Sequence, residues 1–253
     1  MDDEKKKSSS VWSSELNGLG WAGPVAADDP TIQDQRVKLD ACNKGISDLD
    51  VVDPSEVERA TNLFHRDGFV VVSDVLDESE LEFLRAGCER DIREIVERFG
   101  STGNRGTHRF SFGGSRRSGS CADRSEWAQL VEVSTIQPIL KEIFGSDEYR
   151  ACSMGGDFNL PGAVEYQRLH ADTGGTVVFH GEERDCRDAP VAIVSVNFLP
   201  QDFTSLNGPL RIIPRTAQSR AFQPTLTDEP EAWRLSTLLP CVAGSAIIRD
   251  LRT

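Results

Sequence analysis

The hydrophobic period of the chain changes near residue 149, and this change limits the possible folds more than any other feature of the sequence. Before it, apolar residues recur at helical spacing; after it, they alternate in short segments bounded by Gly, Pro, Asn and Asp. A helical half followed by short strands predicts a mainly β domain with N-terminal helices, as an all-β barrel or a two-sheet jelly roll. The predicted strands are YRACSMGGDF (149–158), EYQRLHAD (165–172), GTVVFH (175–180), PVAIVSVNFLP (190–200), GPLRIIP (208–214) and GSAIIRDL (244–251).

The first 52 residues are rich in Ser, Asp, Lys and Gly and have no sustained hydrophobic period. Such a segment buries too little apolar surface to offset the entropy lost on ordering. We therefore predict that residues 1–52 form a disordered polar tail. The domain is expected to cover residues 53–253, with a helical part over 53–148 and a jelly-roll core over 149–253.

The helical part begins with two helices that have clear end signals. Asp53 is the predicted N-cap of the first helix, and Gly68 follows its last residue. A β-branched strand, FVVVSDVL (69–76), leads to the second helix, which begins with a capping-box pair, Asp77 and Glu80. The apolar stripe of the second helix consists of Leu81, Leu84, Cys88, Ile92, Ile95 and Phe99.

A basic segment, STGNRGTHRFSFGGSRRSGS (101–120), follows the second helix. Its Gly, Ser and Arg content predicts a long loop that covers a site. The arginines are candidates to attract an anionic substrate such as a CoA ester or a carboxylate, and a solvated loop is the alternative. They are Arg105, Arg109, Arg116 and Arg117. A third helix is predicted at about Ser125 to Phe144, kinked or divided by Pro138.

Net charge and hydropathy restrict the partners of the protein. The chain has 41 acidic and 28 basic residues, a net charge of -13 that repels phosphate backbones, so nucleic acid is not an expected partner. No segment has the roughly 18 to 20 consecutive apolar residues of a membrane span, and the N-terminus lacks the apolar region of a signal peptide. We expect an intracellular soluble protein, cytoplasmic by default, that acts on a small molecule.

The segment EYQRLHADTGG (165–175) contains the clearest candidate for a metal site. His170 and Asp172 lie at the end of a predicted strand, and the two glycines after them let the backbone turn away, so that imidazole and carboxylate can converge. Such a pair offers adjacent positions to an octahedral metal, and one more histidine would complete a 2-His-1-carboxylate triad. A capped strand end with a surface histidine is the alternative.

Four segments, in their order and spacing, carry a family resemblance. They are FHRDGFVVVSDVLDESELEFLR (64–85), QRLHAD (167–172), VNFLPQDFTSLNGPLRIIPRT (196–216) and AGSAIIRDLRT (243–253). Together they resemble the phytanoyl-CoA dioxygenase family of Fe(II)- and 2-oxoglutarate-dependent oxygenases, and the likeness runs from about residue 55 to residue 253. The resemblance implies a double-stranded β-helix, a cupin-like jelly roll, that binds Fe(II) between its two sheets.

The same resemblance implies roles for the pair. His170 and Asp172 would be the proximal iron ligands, 2-oxoglutarate would chelate the iron, and O2 would take the remaining position. Related halogenases have a small residue in place of this carboxylate, so Asp172 favours hydroxylation. The expected activity is therefore hydroxylation of a small or lipid-like organic substrate.

The family's second histidine follows the D-x-R-T run, which is DLRT (250–253) here, and an arginine for the 2-oxoglutarate carboxylate comes after it. The sequence stops at Thr253. The other histidines, His65, His108 and His180, are poor substitutes, with His108 the least implausible because a loop can fold over a site.

Three explanations for the missing ligand stay open. The jelly roll is incomplete at its C-terminus because the sequence is a piece of a longer product; the protein is a non-catalytic jelly-roll binding module that has lost iron; or an unusual residue completes the site. We expect the first, because a barrel without its closing strands exposes an unpaired edge. A hydrolytic zinc site at the same pair would need a base, for which Glu165 is the neighbouring candidate.

Four polar residues are candidates to bind the cosubstrate or the substrate. Gln167 could reach one of their oxygens, although strict strand alternation would turn it away from His170. Arg168 has the same strand parity as His170 and could contact an anion. Asn197 and Arg211 lie on predicted core strands, where a polar sheet edge is the alternative.

Overall fold

The computed structural model describes residues 28–100, 103–113, 121, 123–163 and 166–253. The helices are α1 (Pro30–Cys42), α2 (Val57–Asp67), α3 (Glu78–Phe99), α4 (Ser125–Ala128), α5 (Gln137–Phe144) and α6 (Glu231–Arg234). The strands are β1 (Val51–Val52), β2 (Phe69–Val72), β3 (Arg109–Gly113), β4 (Gly155–Asn159), β5 (Thr176–Phe179), β6 (Glu182–Asp185), β7 (Val194–Phe198) and β8 (Ala246–Asp250). None of these helices is long and apolar enough to cross a membrane.

The fold mixes helices and sheets, and more of the described residues lie in helices than in strands. The prediction of a mainly β domain was therefore wrong. It counted six strands after residue 149, but two of them did not form. Residues 166–172 have no regular structure, and the segment 208–214 contributes only an isolated bridge between Arg211 and Thr237.

A four-stranded sheet in the order β1–β2–β8–β7 lies at the centre of the fold. The first two strands are parallel, and the other pairings are antiparallel. The register places Arg249 opposite both Phe69 and Ser195, and Ile247 opposite Asn197. Because directly opposed residues lie on the same face, these five side chains share one face of the sheet. The pairs β3–β4 and β5–β6 form two further antiparallel sheets.

The two faces of the central sheet have different coverings. On one face Val70, Val72 and Ile248 pack with the buried residues of α2, α3 and α5 in the larger hydrophobic cluster. On the other face Val71 and Ile247 pack with residues that come mainly from the segment between β7 and β8. Strand β2 is therefore buried on both sides, which explains its unbroken apolar sequence FVVV.

The predicted end signals of the first two helices mostly hold. Gly68 ends α2 in the left-handed conformation, at φ 86°, and its N–H donates to the carbonyl of Phe64. Asp53 is not the N-cap, because its carboxylate accepts from the backbone and hydroxyl of Ser55 and α2 begins later, at Val57. Of the predicted stripe on α3, all members are buried except Phe99, which is half-buried.

Asp77 and Glu80 form the predicted capping box at the start of α3. The carboxylate of Asp77 accepts from the N–H of Glu80, and the Glu80 carboxylate accepts from the N–H of Asp77, both at 2.9 Å. We expect Asp77→Ala to lower the free energy of unfolding by about 1 kcal/mol, because a backbone N–H loses its acceptor. Urea unfolding measures this change. Exposed Glu82→Ala on the same helix is the control, and an equal loss in both variants would contradict the capping role.

The predicted basic loop contains a core strand. Strand β3 pairs with β4, Phe110 and Phe112 are buried, and the ring of Phe110 stacks on that of Phe158 at 4.7 Å. The predicted third helix is divided as expected, but the break precedes Pro138, which lies in the first turn of α5.

Part of the predicted disordered tail is also structured. Asn43, which follows helix α1, accepts a hydrogen bond of 2.7 Å from the Thr237 hydroxyl, and Lys38 on the helix forms an ion pair with Glu231. Ile32 on this helix is buried. Residues 1–27 of the predicted tail lie outside the described residues.

Candidate metal centre

His170 and Asp172 face each other in an irregular segment that precedes β5. Nε2 of His170 lies 3.2 Å from Oδ1 of Asp172. The other ring nitrogen, Nδ1, lies 2.8 Å from the carbonyl oxygen of Arg168. Because a carbonyl oxygen only accepts, Nδ1 carries a hydrogen, and Nε2 is the ring nitrogen that faces the carboxylate.

This geometry fits two adjacent positions of an octahedral metal. With ligand distances of about 2.1 Å, adjacent ligand atoms are about 3.0 Å apart, close to the separation between Nε2 and Oδ1. A backbone carbonyl that fixes the tautomer of a histidine is also a usual feature of metal sites. The side chains of His170 and Asp172 are 46% and 36% exposed, so other ligands have access.

No third ligand joins the pair among the described residues. They contain no group of three or more His, Cys, Asp or Glu side chains placed to hold a metal. His65 is exposed on α2, His180 lies in the turn between β5 and β6, and His108 is buried, with 1% of its surface exposed. Glu165, the candidate base of a zinc site, lies outside the described residues.

Arg249 connects Asp172 to the central sheet. Its Nη2 donates to Oδ2 of Asp172 at 2.6 Å, and its Nε donates to Oδ1 of Asn197 at 3.3 Å. The backbone N–H of Thr173 also donates to the carbonyl of Leu251 at 2.9 Å. The position of the aspartate is therefore set by β7 and β8, on the face opposite the helices. Sequence reasoning missed Arg249, although an arginine within the apolar run AIIRDL is an unusual residue for a core strand.

Of the four predicted cosubstrate or substrate contacts, the structure brings Gln167 to His170, and it connects Asn197 to Asp172 only through Arg249. Nε2 of Gln167 is 3.4 Å from Nε2 of His170, because residues 166–172 do not alternate as a strand. Arg168 donates instead to the carbonyls of Gln223 and Pro224. Arg211 forms a buried ion pair with Glu229 and donates to the carbonyl of Gln167 at 2.9 Å.

The outward face of the β3–β4 pair lies beside the metal pair. Nη2 of Arg109 donates to Oε1 of Gln167 at 3.0 Å. Asp157 is an exposed residue, but partial desolvation by the protein around its carboxyl group raises its pKa, and the negative charge of Asp172 adds to this effect. A hydrogen bond with Ser111 and the charges of Arg105 and Arg109 oppose it. Arg105 and Arg109 of the predicted basic loop thus lie near the candidate site, while Arg116 and Arg117 lie outside the described residues.

The raised pKa of Asp157 predicts a pH-dependent cost to stability. Between the usual value of 3.8 and its folded pKa, the native state binds more protons than the unfolded state, so stability falls as pH rises through that window. We expect Asp157→Asn to be more stable than wild type at neutral pH and to lose this advantage below about pH 3.8, in urea unfolding at both pH values.

Asp147→Asn is the matched control for this prediction. Lys141 lowers the pKa of Asp147, so that substitution should act in the opposite sense. A stability difference between Asp157→Asn and wild type that is the same at both pH values would refute the assignment.

The sequence matches a protein-family model. The family model described as phytanoyl-CoA dioxygenase (PhyH) matches residues 64–253. No curated protein matches the chain. The matched range contains His170, Asp172, Asn197 and Arg249, and it begins within α2.

Proposed function

Because the chain belongs to the phytanoyl-CoA dioxygenase family, whose members are in general Fe(II)- and 2-oxoglutarate-dependent oxygenases, we propose that it hydroxylates a small or lipid-like organic substrate. His170 and Asp172 are the proposed iron ligands. The observation that carries the proposal is their convergence, with Nε2 and Oδ1 3.2 Å apart and the second ring nitrogen held by a carbonyl.

The residues of the chain have distinct tasks in this proposal. His170 provides a neutral nitrogen ligand, and Asp172 provides an oxygen ligand whose negative charge partly balances the metal. Fe(II) with bound 2-oxoglutarate supplies the activation of O2 that hydroxylation of a C–H bond requires. The side chains of His170 and Asp172 are partly exposed, which leaves room for cosubstrate and substrate next to Gln167 and Asn197.

Positive charge beside the pair favours anionic ligands. Arg109 is hydrogen-bonded to Gln167, and the positive charge of Arg105 is close enough to Asp157 to oppose the rise in its pKa. In a chain with a net charge of -13, these arginines create a local attraction for 2-oxoglutarate or for a substrate that carries a carboxylate.

The fold proposed for the site is the double-stranded β-helix of the resemblance. The sheet β1–β2–β8–β7 would be one of its two sheets, with helices on the outer face and the metal pair on the inner face. The arrangement of His170, Asp172 and Arg249 on the face opposite the helices supports this assignment.

Turnover of 2-oxoglutarate tests the proposed activity. The purified product of the gene, including any residues encoded beyond codon 253, is incubated with Fe(II), ascorbate and 2-oxoglutarate, and succinate is quantified. We expect succinate formation that requires both Fe(II) and O2. A folded protein that forms no succinate above the protein-free control would favour the alternative, a jelly-roll binding module that has lost iron.

Sequencing of the transcript beyond codon 253 provides an independent test. An in-frame histidine within a few codons, followed by an arginine, would supply the missing ligand and the carboxylate partner that the family resemblance implies. A stop codon at this position would exclude catalysis by this chain alone.

A further inference from the structure

We infer that Arg249 is a positioning residue. Its hydrogen bond to Oδ2 of Asp172 leaves only Oδ1 of the aspartate to bind the metal. The inference rests on the proposed function, because it concerns how the metal pair is presented. It assigns to Arg249 a role in the coordination mode of the site in addition to its place in the central sheet.

The two oxygens of Asp172 have different neighbours. Oδ1 lies 3.2 Å from Nε2 of His170, the atom proposed to bind the same metal. Oδ2 accepts from Nη2 of Arg249 at 2.6 Å, a short charge-assisted hydrogen bond. The carboxylate is thus divided between a metal-facing oxygen and an arginine-facing oxygen.

Arg249 is itself held in place. Its side chain is 18% exposed, and the strand that carries it, β8, lies between β2 and β7 in the sheet. Its Nε donates to Oδ1 of Asn197, and the same oxygen is 3.4 Å from the hydroxyl of Ser195. Because the guanidinium is planar and rigid, the bond to Asn197 on β7 fixes the direction of the Nη2 that reaches Asp172.

One-oxygen ligation has a consequence for the other ligands. A carboxylate can bind a metal through one or both of its oxygens. If Asp172 used both, it would take a coordination position that a bidentate ligand such as 2-oxoglutarate needs. By pairing with Oδ2, Arg249 keeps that position open.

Infrared difference spectra of the Co(II)-loaded chain test the inference, with Co(II) as an air-stable substitute for Fe(II). The separation between the antisymmetric and symmetric carboxylate stretches is large for one-oxygen binding and small for two-oxygen binding. Wild type is compared with Arg249→Met, which removes both hydrogen bonds, and with Arg249→Lys, which keeps one charged donor. All proteins are studied at saturating Co(II), so that differences in affinity do not affect the spectra.

We expect the wide band separation in wild type and Arg249→Lys, and a narrower separation in Arg249→Met. We also expect 2-oxoglutarate to bind the Co(II)-loaded Arg249→Met protein about tenfold more weakly than wild type. Arg59→Met is the control, because it removes an exposed arginine of α2 that pairs with Asp50 and Glu56. It should leave both measurements unchanged.

The outcomes separate the inference from the proposed function. If Arg249→Met keeps the wide separation of wild type, or if wild type already shows the narrow one, the role of Arg249 is overturned and the proposed function stands. If Co(II) binding is absent, or does not depend on His170, the proposed metal site and the role of Arg249 both fail.

Discussion

Replacement of His170 by alanine should reduce Fe(II)-dependent conversion of 2-oxoglutarate to succinate by at least about 100-fold. Loss of residues that only support a ligand already lowers metal affinity or activity by about 10- to 100-fold, and His170 is a proposed ligand itself. Its Nε2 and Oδ1 of Asp172 are the converging donor atoms of the described structure. Succinate formation and Fe(II) binding should both be lost, while the circular dichroism of the protein stays unchanged.

His65→Ala is the matched control for this variant. His65 is exposed on α2 and does not join the metal pair. Its substitution should leave turnover and Fe(II) binding at wild-type levels. Wild-type turnover in His170→Ala would exclude the pair as the iron site, whereas a loss in both variants would indicate damage to the fold.

Replacement of Phe64 by alanine should lower the free energy of unfolding by about 3 to 5 kcal/mol. Phe64 is 1% exposed, lies on α2 and belongs to the hydrophobic cluster between the helices and the central sheet. Truncation removes buried apolar area and leaves a cavity, and the two costs add. Guanidinium unfolding measures the change, with the m-value as a check that the unfolding transition is unaltered.

Phe222→Ala makes the same chemical change at the surface. Phe222 is 89% exposed, so its loss should change the free energy of unfolding by no more than about 0.5 kcal/mol. Equal effects of the two substitutions would contradict the core assignment of Phe64.

The features that sequence predicted well depend on nearby residues. The capping box of Asp77 and Glu80 and the left-handed Gly68 each involve a few neighbours in the chain, and both are confirmed. The alternation in β7 and β8 was also sufficient to locate those strands. In each case the signal lies within the segment that forms the structure.

The errors arose where distant residues decide the local structure. The segment before His170 was predicted as a strand, but Arg211, 44 residues away, donates to the carbonyl of Gln167, and the Arg168 side chain donates to the carbonyls of residues 223 and 224. These side-chain bonds replace a strand ladder. Likewise β3 was hidden in a Gly- and Ser-rich segment, since its partner β4 is far along the chain.

The candidate site also combines features that nearby residues predict with features that depend on residues far along the chain. The pair His170 and Asp172 was predicted from its spacing, from the two glycines that follow and from the family resemblance, and its role as an iron site stays a prediction. Arg249 was not found, because its bond to Asp172 spans 77 residues and only the folded sheet brings the two together. Asp157 was missed for the same reason, since its altered pKa depends on surroundings that the sequence does not reveal.

The register of strand β8 decides which of its side chains face the hydrophobic core and which face the candidate site. Ile248 points towards the helices, and its neighbour Arg249 points towards Asp172. Since strand side chains alternate, a shift of one residue would bring the arginine into the helix-packed core and the isoleucine to the metal pair. A single insertion or deletion in this strand would therefore damage the hydrophobic core and the candidate site at once, whereas length changes in the surface loops would leave both intact.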